Sequence, residues 1–307
     1  MATQQSEISV TAPLGLAFDR MAKILFRPFD LSKWVVIGFC AWLAFLGEGG
    51  GGGGSPGWNK SSRHTDAKHE WHRATHYVTE NAYWLVPVVV AAVVVCIGLW
   101  LLLLWLNSRG KFMFLHCVAL DKAEVAEPWN KFAGEANSLF VFRILLGLIG
   151  ATIILPLAAL IGFAVYLMSG ANQLTLMGVL MGVGAGLAIF AAGIALLVIR
   201  KLTMDFVVPI MFLRRKKCVD AWQEFSIVLK AGVGSFVLYF LFQLLMHIVI
   251  VTALLILLVL TCCIAGCVLA IPYVGTVLAL PLFVFLRAYS LYYLAQFGQE
   301  YDAFQQT

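Results

Sequence analysis

The sequence is short of charge. Only 12% of its 307 residues are Asp, Glu, Lys or Arg, against about 25% in ordinary soluble domains. It has no basic block interleaved with aromatics, which excludes the usual nucleic-acid-binding surface, and no nucleic-acid partner is expected. No Gly-rich phosphate loop, nucleophile elbow or paired-carboxylate arrangement appears, so no catalytic residue and no cofactor is assigned. The first thirty residues contain Asp19, Arg20, Lys23, Arg27 and Asp30, and no apolar run long enough for a cleaved leader. Cys40, Cys96, Cys117 and Cys218 show no metal-ligand spacing.

What fills the chain is apolar sequence, at 62% of residues. Six long runs stand out, at about 31–46, 84–106, 139–167, 176–199, 236–260 and 273–294. One water-surrounded core cannot hide that many, so lipid is the expected solvent. Continuous runs of this length suit helices rather than the alternating strands of a barrel. The expectation is an all-α integral membrane protein of about six transmembrane helices, forming a single membrane domain over 1–307. The first run is short for a span, and crosses only if Lys33 snorkels and the helix starts near Asp30 as its N-cap.

Seventeen of the 21 Lys and Arg residues fall on one side of such a bundle. The other four, Lys60, Arg63, Lys68 and Arg73, share one loop at 47–83. The positive-inside rule then places both termini in the cytoplasm. That loop opens with six glycines, Gly49 to Gly54, and holds His64, His69, His72 and His76. His69-Glu70-Trp71-His72 falls one residue short of a zinc-protease helix, because Arg73 holds the next position. A polar exposed helix is the simpler account, and no metal site is assigned. Cys262, Cys263 and Cys267 cluster near the outer end of the fifth run, where either a disulfide to Cys267 or plain small-residue packing fits.

Amphipathic stretches precede the first, third and fifth runs: Leu14, Phe18, Met21 and Leu25; Val125, Trp129, Phe132 and Ala136; Cys218, Trp222, Phe225 and Leu229. Each set falls on one helical face and suits the cytoplasmic membrane surface. Glu124-Val-Ala-Glu-Pro-Trp-Asn-Lys-Phe132 aligns with Lys217-Cys-Val-Asp-Ala-Trp-Gln-Glu-Phe225, and Ser138 and Ser235 follow at the span entries. This is either a three-unit parallel repeat or independent use of Trp and Phe at membrane-entry helices.

Ser108-Arg-Gly-Lys-Phe-Met-Phe-Leu-His116, Asp205-Phe-Val-Val-Pro-Ile-Met211 and the segment from Arg287 to Gly298 carry a resemblance. So do Leu25-Phe-Arg-Pro-Phe-Asp-Leu-Ser-Lys-Trp34 and the glycine run. Together they resemble a bacterial polytopic membrane-protein family of unknown function over nearly the whole chain. More distantly they are similar to the membrane domain attached to some glycerophosphoryl diester phosphodiesterases. The resemblance implies a bacterial plasma-membrane location and carries over no catalytic residue.

Arg143, Asp205 and Arg287 are the candidate ion-pair or lipid-headgroup residues, since charge near the membrane is costly unless it works or snorkels. Gly178, Gly182 and Gly186 recur every four residues and offer a smooth helix-packing stripe. The polar inventory at mid-membrane is thin, chiefly Gln243 and His247. The leading expectation is a non-enzymatic membrane scaffold or lipid-interacting protein, with membrane lipids and a second copy of the chain as partners. The alternative is a small-solute transporter or channel.

Overall fold

The computed structural model describes residues 8–47, 82–171, 176–261, 264–269 and 271–305, and every regular element among them is helical. In chain order these are α1 (Ala12–Phe26), α2 (Leu31–Phe45), α3 (Ala82–Leu120), α4 (Ala126–Lys131), α5 (Ala133–Ala171) and α6 (Leu176–Leu202). A π-helical turn at Thr203–Val207 leads into α7 (Val208–Arg214). Then follow α8 (Cys218–Ala231), α9 (Val233–Leu260), α10 (Ile264–Leu269), α11 (Pro272–Leu278) and α12 (Leu280–Ala295).

Local chemistry sets these boundaries. The Asp30 carboxylate accepts from the Ser32 amide at 2.8 Å, the expected N-cap of α2. Asp121 and Arg215, at φ 57° and 53°, end α3 and α7 in the left-handed region. Pro281 sits in the first turn of α12, where its missing N–H costs nothing. The expected sixth run is therefore two helices, α11 and α12, bent by 61°.

Four helical stretches are long and apolar enough to cross a membrane: Tyr83–Leu120, Ala133–Tyr166, Leu176–Arg214 and Val233–Leu260. The bent pair α11–α12 makes a fifth if counted as one span. Helix α2 has 15 residues, about 22 Å at the helical rise, against a hydrocarbon core of about 30 Å. Most of the expected outer loop, with all four of its histidines, lies outside the described residues.

The core gathers at one end of the bundle, which we call the base. It joins α1, α2, the end of α3, the start of α5, the segment 202–211, α8, the start of α9 and most of α12. Phe206, Phe225, Phe236, Tyr239, Tyr289 and Tyr293 form its aromatic centre, with neighbouring rings 4.6–6.2 Å apart. Beyond the base the spans become arms whose apolar side chains face outward, almost none of them buried within the chain. Helix α3 shows the change along one rod. Its expected span stopped at 106, before Arg109 and Lys111, yet it continues to Leu120 because its polar residues bond inside the base. Asn107 donates to the carbonyls of Ala44 and Leu46, both at 2.8 Å.

The membrane-entry helices, expected along the membrane surface, turn their apolar residues into the base instead, with Phe132, Ala136, Cys218 and Phe225 buried. Phe18 is the exception at 59% exposed; α1 buries Ala17, Met21, Ile24 and Leu25 instead. The two aligned stretches differ in form, a six-residue helix against a fourteen-residue one. The chain ends meet at the base. The Ser9 amide donates to Gln296 Oε1 at 2.8 Å, and Gln296 Nε2 donates to the Ser9 carbonyl at 2.9 Å.

Candidate anion-binding pocket

The π-helical turn creates the site. In that turn the Val208 amide reaches back five residues to the Thr203 carbonyl. The next bond in the same register would run from residue 209 to the Met204 carbonyl, but residue 209 is proline and has no N–H. A buried carbonyl without a donor is costly. Arg287 supplies the donor from α12, with Nη1 at 2.7 Å from the Met204 oxygen. One turn of irregular helix thus draws an arginine into the bundle.

Asp205 follows. Lys201 Nζ lies 3.0 Å from its Oδ2, and the Tyr239 hydroxyl donates to the same oxygen at 3.0 Å. The i, i+4 spacing of Lys201 and Asp205 places this pair on one face of the helix. The carboxylate is therefore neutralised and hydrogen-bonded where a bare charge would be expensive.

Around these groups lies a pocket of about 460 Å³. Lys111, Arg200, Lys201 and Arg287 bring four positive charges to its lining, against Asp205 alone on the negative side. Phe45, Phe114 and Phe283 wall it, and the Lys111 ammonium sits 4.4 Å from the Phe45 ring centroid. Gln243, only 4% exposed, lines the pocket, and its Oε1 has no hydrogen-bond partner. The Ser290 hydroxyl donates to the Arg287 carbonyl at 2.9 Å and so turns back onto its own helix. Four cations to one carboxylate in a half-open, aromatic-walled space favour an anion, and the Gln243 oxygen favours a hydroxyl beside it.

The same helices continue the pocket in an apolar key. On α9, Gln243, His247, Ile250, Leu254 and Leu257 follow one another at three- and four-residue steps, on one face. The last three, with Leu278, Pro281 and Leu282, line an open groove of about 1030 Å³.

The model of a family of unknown function, DUF7544, matches residues 9–282. The chain belongs to that family. No curated protein and no solved structure matches it. The family match takes in Lys111, Arg200, Lys201, Asp205 and Gln243, and stops short of Arg287.

Of the three charged residues singled out in the sequence, the structure brings two together. Asp205 and Arg287 line the pocket; Arg143 does not. Arg143 Nη1 instead donates to Asn107 Oδ1 at 2.6 Å, which joins α5 to the end of α2 through the Asn107 amide. Sequence reasoning missed Lys111, Arg200 and Lys201, although the Lys201–Asp205 spacing was readable, and met Gln243 and His247 only as isolated polar residues. On α6, Gly178 is buried, while a methyl group at Gly182 or Gly186 would meet nothing within 4 Å. The close approach between α5 and α6 falls at Gly150, where a Cβ would lie 2.9 Å from Leu196 Cδ1. Cys267 carries a free thiol; Cys262 and Cys263 lie outside the described residues.

Proposed function

We propose that this chain is a non-enzymatic, multi-pass plasma-membrane protein that holds an anionic lipid, headgroup in the cationic pocket and acyl chain along the apolar groove. The observation that carries the reading is the α9–α12 crevice. Its base end gathers Gln243 and Arg287, with Lys201 from α6, and two turns further on it is lined by Ile, Leu, Val, Ala and Pro, with Thr261 the one polar residue in its lining. That is the polarity profile of a phospholipid. Cationic pockets between membrane helices suit phosphate headgroups.

A six-crossing topology with cytoplasmic ends accompanies this reading. It takes α3, α5, α6–α7, α9 and the bent pair, the helices long and apolar enough to cross, as five crossings between Ala82 and Gln296. The Ser9–Gln296 pairing, which brings α1 and the end of α12 together, supports an even total. On this reading the short apolar α2 belongs to a sixth crossing. The charge asymmetry assigns the base to the cytoplasm, and a bacterial membrane rests on the connector resemblance alone.

The test uses the full-length protein in nanodiscs and in detergent. Phosphatidylglycerol should raise the melting temperature more than phosphatidylcholine, and a Lys111→Gln, Arg200→Gln double variant should lose most of the difference. Equal stabilisation by both lipids, or a shift unchanged in the variant, would sink the reading. The same shift from inorganic phosphate alone would assign the pocket to a free anion.

A transporter is the second reading, favoured by the break at Ala279 and the π-helical turn, since broken helices commonly line transport sites. Solute flux in proteoliposomes that Asp205→Asn abolishes would move the assignment there.

A further inference from the structure

We propose that His116, Glu124 and Glu127 form a binding site for a divalent transition-metal ion at the foot of α3. The site is separate from the anion pocket and independent of the function proposed for it.

The three residues meet because α3 ends abruptly. His116 lies in its last turns, Asp121 reverses the chain at φ 57°, and the returning strand of chain carries Glu124 and then Glu127 in the first turn of α4. One ligand atom from each residue lies within 4.8 Å of the other two. Bonds of about 2.0–2.2 Å to one ion require only a further contraction of under about 1 Å. The Cys117 thiol, 3.8 Å from the Glu124 carbonyl, helps hold the loop against the helix.

The second observation is the histidine itself. His116 is 1% exposed, and among the described residues neither of its ring nitrogens has a hydrogen-bond partner. Phe132 and Phe212 pack edge-on at 6.2 and 6.4 Å and fix the plane of the ring. Glu124 Oε2 is likewise buried without a partner. Buried polar groups are almost always satisfied, so an imidazole and a carboxylate oxygen left bare beside each other call for a shared partner. A cation supplies one to both, beside a Glu127 whose Oε1 Lys131 meets at 3.3 Å.

The donor set defines the ion class. One imidazole nitrogen with two carboxylates suits Zn²⁺, Mn²⁺, Fe²⁺ or Co²⁺; Mg²⁺ and Ca²⁺ prefer all-oxygen shells. Three protein donors leave a position for water. The ion would fasten the end of α3 to the start of α4 and so hold the entry to α5.

The test takes the full-length protein, purified without a polyhistidine tag and stripped with chelator. Zn²⁺, Mn²⁺ and Co²⁺ are then titrated by calorimetry, with bound metal counted by mass spectrometry and Co²⁺ followed by its visible absorption. The expected result is one ion per chain, retained when His64, His69, His72 and His76 are all changed to Ala. Glu127→Gln, at an exposed position that leaves the fold intact, should weaken affinity by about tenfold or more, and His116→Ala should abolish binding and the Co²⁺ spectrum. Stoichiometric binding unchanged in Glu127→Gln and His116→Ala would overturn the proposal. So would the absence of micromolar binding of all three ions to the wild-type chain.

Discussion

The base and the arms of this molecule are built to different rules. In the base, Asn107, Ser108, Lys111, Thr203 and Asp205 are buried among rings. Arg109 lies between Trp105 and Trp129, 4.7 and 4.8 Å from their centroids, and donates to the Trp129 carbonyl at 2.9 Å. In the arms, residues such as Val94, Leu155, Leu187 and Leu255 point away from the chain. Lipid tails are as apolar as leucine, so nothing drives these surfaces together. The arms need length and apolarity. The base needs particular residues, because each buried polar group must find its partner.

Matched substitutions on one helix test that contrast, and the largest effect belongs to the aromatic centre. Phe206 and Phe190 are 0% and 67% exposed, the first in the π-helical turn that continues α6 and the second on the α6 arm. Phe206→Ala should cost about 3–5 kcal/mol in detergent thermal unfolding, and Phe190→Ala under about 1 kcal/mol. Equal costs would erase the distinction between the regions.

Next comes a pair of glycines on α3. A Cβ at Gly110 would lie 2.5 Å from the Leu43 carbonyl carbon and the Ala44 amide nitrogen, backbone atoms that cannot swing aside. A Cβ at Gly98 would meet nothing within 4 Å. Gly110→Ala should destabilise by about 1–3 kcal/mol and Gly98→Ala by nothing measurable. A neutral Gly110→Ala would show that α2 does not rest on α3 as described.

The stripe on α6 asks whether the arms pack beyond the α5–α6 pair. Within one chain Gly182 faces open space, so Gly182→Leu should leave the melting of the single chain nearly unchanged. If copies associate through the stripe, the same change should reduce oligomer size by light scattering. Unchanged size would remove the packing role from Gly182.

The smallest effect lies at the rim of the base. Burial alone would push the Glu224 carboxyl up, but Lys216 at 2.8 Å and Arg214 at 3.3 Å outweigh it and hold the group below the usual carboxylate range. A depressed folded value stabilises the protein above the unfolded value of about 4.3 and loses that contribution as pH falls through the folded one. Glu224→Gln should therefore cost about 0.2–1 kcal/mol at pH 7, with the gap to wild type closing below about pH 4. A gap that persists at pH 3 would separate the effect from charge.

The arms were the legible part. Four of the six apolar runs fall on helices long and apolar enough to cross a membrane, and the last is broken between α11 and α12. The base was legible only in pieces. Trp222 and Phe225 declared their face by spacing, and Asp30 its cap. Other groups join residues remote in sequence, so no local pattern announces them. Lys111 reaches the pocket from α3, Lys201 from α6, Gln243 from α9 and Arg287 from α12. His116, Glu124 and Glu127 are closer in the chain, but they straddle a helix end, and their spacing matches no periodic element. Arg287 needed the most context, because its role follows from a proline 78 positions earlier that leaves a carbonyl bare.

The clasp between Ser9 and Gln296 closes over 287 positions, and that separation orders the protein's birth. Synthesis runs from the N-terminus, so α1 emerges well before its packing partner α12. Every arm has its chance to enter lipid before the base can shut. A chain stalled or cut before residue 296 leaves the clasp open, and one cut before α12 leaves α1 without the surface that covers Ala17, Met21, Ile24 and Leu25. A copy that lacks α12 thus leaves apolar surface on α1 uncovered, the kind of surface that draws chaperones and promotes aggregation.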